Sequence, residues 1–247
     1  MILKGLGKAL ARNLNRELHY GLRGITKDAF NDQLGLLSGT KVQTIFDIGA
    51  NIGQTTAEYS SLFPEATIYS FEPFPEAFQK LCQRFKGNSL VKPVQLAVSN
   101  KAGKKKFYVY RESGANSLFP TTDEVQYWVD PPSAIESITT IEVPVTTIDD
   151  FCKQESINEI QIFKMDIQGG ELNALRGATE KINQGCISLI YTEILFVPIY
   201  EGEALFYEIC NLLSSYGYKL FDMYNFTYAR NGQIKWCDAI FAGPWLA

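Results

Sequence analysis

One histidine, His19, stands among 247 residues. A histidine-rich zinc centre is excluded by supply, and a histidine general base would need the N-terminal segment to fold over a distant site. Cysteine is scarce too. Cys82, Cys152, Cys186, Cys210 and Cys237 are odd in number, widely scattered and without paired ligand spacing. They read as reduced, mostly buried thiols, which suits an intracellular, cytoplasmic protein. No apolar run reaches the roughly 18 residues of a membrane span. Charge of one sign is also missing: 23 Lys and Arg against 27 Asp and Glu leave a net charge of −4. No basic surface that tracks nucleic acid follows from that balance, so no nucleic-acid partner is expected.

What the chain does have is apolar bulk, 46% of residues, enough for one buried α/β core but cramped for two. Residues 1–40 read as a helical extension and residues 41–247 as the main domain. In the extension Ile2, Leu3, Leu6, Leu10, Leu14 and Leu18 recur at helical spacing, with Lys4, Lys8, Arg12 and Arg16 on every fourth residue. Such a basic amphipathic helix has two readings, packing on the domain or a second subunit, or lying on an anionic membrane. Beyond it, strand signals fall at 44–48, 67–71, within 91–98, at 160–165, 187–193, 218–224 and 233–242. Helical signals cover 53–62, 75–85, 171–182 and 204–216. Residues 106–110 and 143–145 read as extended. Residues 111–140 lack a period and predict a long excursion or partial lid. Asn231-Gly232 marks a hairpin turn.

The most informative segment is Thr44-Ile45-Phe46-Asp47-Ile48-Gly49-Ala50-Asn51-Ile52-Gly53. It reads as strand, glycine turn and helix start, and Ser70-Phe71-Glu72-Pro73 ends the next strand in an acid. An open α/β sheet holds a nucleoside cofactor in this way. The third glycine of GxGxxG is missing, which disfavours a pyrophosphate at the helix start and points to S-adenosyl-L-methionine. Asp47 would attract the cationic part of that cofactor. Gly49, Ala50, Asn51 and Gly53 supply close backbone approach or a cap. Glu72 with Pro73 suits the ribose hydroxyls, and Ala97-Val98-Ser99 suits the adenine.

These segments resemble the FkbM-type methyltransferase family. The resemblance runs through 46–55, Phe71-Glu72-Pro73-Phe74-Pro75, Leu96-Ala97-Val98-Ser99 and Thr147-Ile148-Asp149-Asp150. Its most specific part is Phe163-Lys164-Met165-Asp166-Ile167-Gln168-Gly169-Gly170-Glu171, followed by Leu175-Arg176-Gly177-Ala178. It implies an S-adenosylmethionine-dependent enzyme with a Rossmann-like class I methyltransferase sheet. About seven strands are expected, mostly parallel, with an antiparallel C-terminal strand and helices on both faces. The family is associated with O-methylation of sugars, polyketides and related metabolites, so a small-molecule acceptor is implied. Asp47, Gly49, Asn51 and Glu72 carry over as cofactor residues. Gln168 departs from the glutamate that many relatives place there.

Read as chemistry, Lys164, Asp166 and Gln168 alternate with Phe163, Met165 and Ile167. Lys164 is expected to pair with Asp166 and orient it at the crevice. Glu171 is expected to stabilise a helix N-terminus. Methyl transfer to an alcohol calls for a positioned proton acceptor, and Asp166 is the first candidate, Glu193 the second. The other reading makes both of them orienting groups in a polar network. No metal set is expected, a divalent ion shared by Asp166 and Glu193 being the minor alternative. Acceptor choice is expected from Arg111, Asn116, Ser117, Tyr127 and Trp128 in the excursion, with Tyr191, Phe196, Tyr200 and Trp236 near strand ends. The leading reading is therefore an O-methyltransferase. An N-methyltransferase, an NAD-dependent oxidoreductase and a non-catalytic cofactor-binding protein are the alternatives.

Overall fold

A computed structural model describes residues 28–246. The N-terminal amphipathic helix expected over the first twenty residues lies outside that range. The first described helix, α1 (Ala29–Leu36), is capped by Asp28, whose side chain accepts the Phe30 N–H at 2.9 Å. It packs Ala29 and Leu37 onto the sheet, and its Gln33 accepts the buried Tyr59 hydroxyl at 3.0 Å.

Seven strands form the main sheet: β1 (Thr44–Ile48), β2 (Thr67–Phe71), β3 (Val91–Val94), β7 (Ile160–Met165), β8 (Ile187–Leu195), β9 (Lys219–Tyr228) and β10 (Ile234–Ala242). Their order is β3-β2-β1-β7-β8-β10-β9, parallel throughout except for β10, which is antiparallel to both neighbours. The central strands explain their own composition. All six residues of β7 are buried, as a parallel strand covered on both faces requires. One face carries Phe46, Phe71 and Phe163, with Phe71 edge-on to Phe151 at 4.7 Å between ring centroids. Helices α2 (Gln54–Leu62), α3 (Pro75–Arg84), α4 (Ile148–Glu155), α5 (Glu171–Arg176), α6 (Thr179–Asn183) and α7 (Phe206–Ser215) complete the layers. This is the sheet order of a class I methyltransferase. The chain runs outward from β1 to β3, then returns to β7, so strand order reverses between β1 and β7. Ligands enter an open α/β sheet at such a point.

The third strand falls within 91–98 as expected: β3 stops at Val94, and β4 (Ala97–Val98) joins a second sheet, β4-β6-β5, with β5 (Gly103–Tyr110) and β6 (Ser137–Thr146). Pro93 lacks a ladder donor, which keeps β3 at the sheet edge. The helix expected over 171–182 divides into α5 and α6, because Gly177 passes so close to β4 that an added Cβ would lie 2.2 Å from the Ser99 carbonyl oxygen. The expected irregular excursion, between β5 and β6, is built from three short 3-10 turns. Ser117 pins it over the sheet, its hydroxyl donating to the Gln168 carbonyl at 2.6 Å.

Candidate functional site

The β1 turn leaves room for a ligand because Gly49 has φ +77° and faces β7 closely. A Cβ there would lie 1.9 Å from the Asp166 carbonyl oxygen. Above it opens a crevice of about 630 Å³. Gly49, Asn51, Glu72, Pro73, Ala97 and Val98 line it, together with Asp166 and Gln168. Six of the ten expected cofactor residues therefore meet at one place.

The other four are beneath or beside the walls. Asp47 is fully buried; its Oδ2 accepts the Thr56 hydroxyl at 2.7 Å and its Oδ1 stands 3.0 Å from Lys164 Nζ. Ala50 is buried and donates its N–H to Phe71 O at 2.9 Å. Gly53 caps α2 at φ 83°. Ser99 is buried and accepts from Lys105 Nζ at 2.7 Å.

The expected Lys164–Asp166 pair is corrected. Lys164 pairs with Asp47, which register places directly across from it on the neighbouring strand, and also reaches the Gly49 carbonyl at 3.3 Å. A cross-strand partner in a parallel sheet is nearer than a residue two positions along the same strand. Burial alone would lower the Lys164 pKa, but Asp47 and then Asp166 hold it above its ordinary value. Lys164 thus braces the crevice floor from behind.

The crevice wall has a consistent chemistry. Glu72 accepts the Asn51 N–H at 2.9 Å and the Phe74 N–H at 2.8 Å, leaving a lone pair on each oxygen for a diol. Burial pushes its carboxyl up to about 7, against those two N–H donors. Leu96, Val98, Phe107 and Leu118 give apolar surface for a base. Among the described residues two buried amide atoms of lining side chains lack partners: the acceptor Asn51 Oδ1 and the donor Asn116 Nδ2. An ammonium and a carboxylate would satisfy that pair. The base, the ribose and the amino-acid end of S-adenosylmethionine thus each have a matching group here.

Beside the crevice lies a second cavity of about 680 Å³, which shares Gly114 and Gln168 with it. Glu193 lines it, with Glu112, Ile135, Leu195, Tyr200 and Trp236. Between the two spaces, Gln168 Nε2 donates to Asp166 Oδ1 at 2.8 Å and to Glu193 Oε2 at 3.0 Å. Its Oε1 accepts from the Tyr200 hydroxyl at 2.9 Å. Burial, then repulsion from Asp166, Glu171 and Asp238, drives the Glu193 carboxyl well above its usual range. Glu171, also buried, accepts the Ile167 N–H at 2.8 Å, and burial raises it to about 7.

Of the residues expected to choose the acceptor, Tyr200 and Trp236 line the second cavity and Asn116 the first. Arg111 pairs with Glu136 at the surface. Tyr191 lies under the sheet, donating to Asp238 at 2.9 Å, and Phe196 stacks on Phe206. Asp238, cross-strand from Glu193, went unrecognised, because nothing marks one acid in an apolar strand as facing another strand's acid. Among the described residues no three His, Cys, Asp or Glu side chains are grouped to hold a metal.

The fold and the crevice define an S-adenosylmethionine-dependent methyltransferase. Residues 47–220 match the family model described as the methyltransferase FkbM domain, and the chain belongs to that family. It is similar to the 2-O-methyltransferase NoeI of Sinorhizobium fredii, 25% identical over 86% of this chain and 88% of the relative. It is also similar to the 31-O-demethyl-FK506 methyltransferase FkbM of Streptomyces tacrolimicus, 25% identical over 62% of this chain and 67% of that protein. S-Adenosyl-L-methionine is the cofactor.

Proposed function

We propose that this chain methylates a hydroxyl oxygen of a sugar or secondary metabolite, with Glu193 accepting the hydroxyl proton. The observation that carries the proposal is the Gln168 bridge, which ties Asp166 on the cofactor crevice to Glu193 on the acceptor cavity. Bound S-adenosylmethionine supplies an electrophilic methyl group. The protein's task is to bring an oxygen to that methyl and to receive its proton. Gly49, Asn51, Glu72 and Val98 hold the cofactor. Tyr200 and Trp236 confine the acceptor ring, and Ile135 and Leu195 exclude water. Glu193 suits the role of base because burial and neighbouring carboxylates raise its affinity for a proton. Asp166 lines the cofactor side, so its proposed role is to orient rather than to accept. Transfer to oxygen fits the names of both relatives, one a 2-O-methyltransferase and the other acting on a 31-O-demethyl compound.

The test is a screen of hydroxylated sugars and metabolites with labelled S-adenosylmethionine, repeated with Glu193→Gln. Turnover in that variant should fall by about 10²- to 10⁴-fold with unchanged affinity for S-adenosylhomocysteine. Parallel loss of both would assign Glu193 to cofactor binding.

A further inference from the structure

Beyond the acceptor cavity the surface does not close. Val129 lines that cavity and also a larger open groove of about 1190 Å³. The groove runs between the excursion, at Gln126, Tyr127, Trp128 and Asp130, and the β9–β10 hairpin, at Tyr228, Arg230 and Asn231. The partition between the two spaces is held by Lys235. It donates to the Trp128 carbonyl at 2.9 Å and lies 4.2 Å from the centroid of the Trp236 ring. An Arg230–Asp130 ion pair ties hairpin to excursion.

The groove's side chains are unusual for solvent-facing surface. Tyr127 is 71% exposed and Tyr228 57% exposed. Phe226 stacks against Tyr228 with rings 18° from parallel. The Trp128 indole nitrogen, by contrast, is buried behind this surface, and among the described residues it finds no acceptor. Exposed aromatic rings interspersed with planar amides and one matched ion pair suit a ligand with alternating C–H faces and hydroxyls. Arg230 is paired with Asp130, and the Lys235 ammonium is engaged by the Trp128 carbonyl and the Trp236 ring, so among the described lining residues no unengaged cation faces a phosphate chain.

We propose that this groove is an extended acceptor subsite for a neutral oligosaccharide whose terminal residue enters the cavity beside Glu193. The inference rests on the hydroxyl-methylation reading and adds the size and class of the acceptor. Tyr127 and Tyr228 stack the sugars that follow the reacting one, while Gln126 and Asn231 meet their hydroxyls.

The test is an array of neutral oligosaccharides of two to five residues with their matched monosaccharides, probed with the full chain loaded with S-adenosylhomocysteine. Oligosaccharides should bind about tenfold better than their monosaccharides, and Tyr127→Ala or Tyr228→Ala should each remove most of that preference. Tyr127→Phe and Tyr228→Phe, which keep the rings, should retain it, and affinity for S-adenosylhomocysteine should not change in any of the four. No preference for oligosaccharides, or a preference untouched by the alanine variants, would overturn the subsite while leaving the methyltransferase reading intact. Binding to phosphatidylcholine vesicles lost in the same alanine variants would make the groove a membrane contact and overturn it equally. Failure to bind S-adenosylhomocysteine would count against the methyltransferase reading, and the array, repeated on the unloaded chain, would still decide the groove.

Discussion

The Gln168 side-chain nitrogen donates to Glu193 Oε2 at 3.0 Å, carrying a hydrogen bond from the end of β7 to β8. The same nitrogen donates to Asp166 at 2.8 Å. Two carboxylates that would repel are held by one neutral amide, and the left-handed backbone of Gln168, φ 56°, aims it between them. Gln168→Leu keeps the bulk and removes the donor. Repulsion from Asp166 would then raise the Glu193 carboxyl further, so the acidic limb of the pH–rate profile should move to higher pH. Turnover at neutral pH should fall by about 10- to 100-fold. An unshifted limb would show that the amide does not govern Glu193.

Glu72 carries a second pH signature. Burial pushes its carboxyl up to about 7, and its charged form is the better acceptor for ribose hydroxyls. Affinity for S-adenosylhomocysteine should therefore weaken as pH falls through 7, approaching about tenfold per unit on the acid side. Calorimetry from pH 5.5 to 8.5 would check this. Glu72→Gln should bind more weakly at pH 8 and show a flatter profile, and a Glu72→Gln profile as steep as the parent's would place the titration elsewhere.

Glu171 acts on stability rather than binding. Burial raises its folded pKa from 4.5 to about 7, so between those values the native state holds more protons than the unfolded one. Its contribution is fully present below pH 4.5 and is lost as pH rises through 7. Glu171→Gln keeps an acceptor for the Ile167 N–H without the charge. It should be more stable than the parent at pH 8 by about 1–3 kcal/mol in urea unfolding, with the difference shrinking toward pH 5. A difference independent of pH would remove the buried charge as its source.

Local pattern and local chemistry account for what could be read in the sequence. Strands β1, β2 and β7 have the expected bounds because each is a short apolar run ended by a turn residue. The cofactor crevice was legible for the same reason, since Gly49, Asn51 and Glu72 follow strands that register side by side. What the sequence hid depends on pairing between distant strands. Lys164 took Asp47 rather than Asp166 because β1 is its neighbour, which spacing along one strand does not reveal. Just past β3, residues 97–98 pair as β4 with β6, some fifty residues on, which local pattern does not announce. Ala134 and Ile135 of the second cavity come from an aperiodic excursion, where composition suggests a lid but not which residue faces inward.

Gly49 tests the crevice floor. Its φ of +77° and the 1.9 Å approach of a Cβ to the Asp166 carbonyl leave backbone, not a flexible side chain, to give way. Gly49→Ala should lose more than about 2 kcal/mol of stability and at least about tenfold in affinity for S-adenosylhomocysteine. Gly35→Ala, on α1 away from the crevice and with open space around it, is the control and should lose neither. Equal behaviour of the two variants would mean that the β1–β7 approach tolerates a side chain.

Lys164 separates a bracing role from a chemical one. Lys164→Met leaves the fully buried Asp47 without its counter-charge, which should cost about 3–5 kcal/mol in urea unfolding. Adding Asp47→Asn removes the stranded charge while keeping an acceptor for Thr56, so the double variant should recover most of that loss. If Lys164 only braces the floor, the double variant should turn over within about tenfold of the parent once folded, since a proton-transferring group would cost far more. A stable double variant that binds S-adenosylhomocysteine normally yet transfers no methyl group would instead put the Lys164 ammonium in the reaction itself.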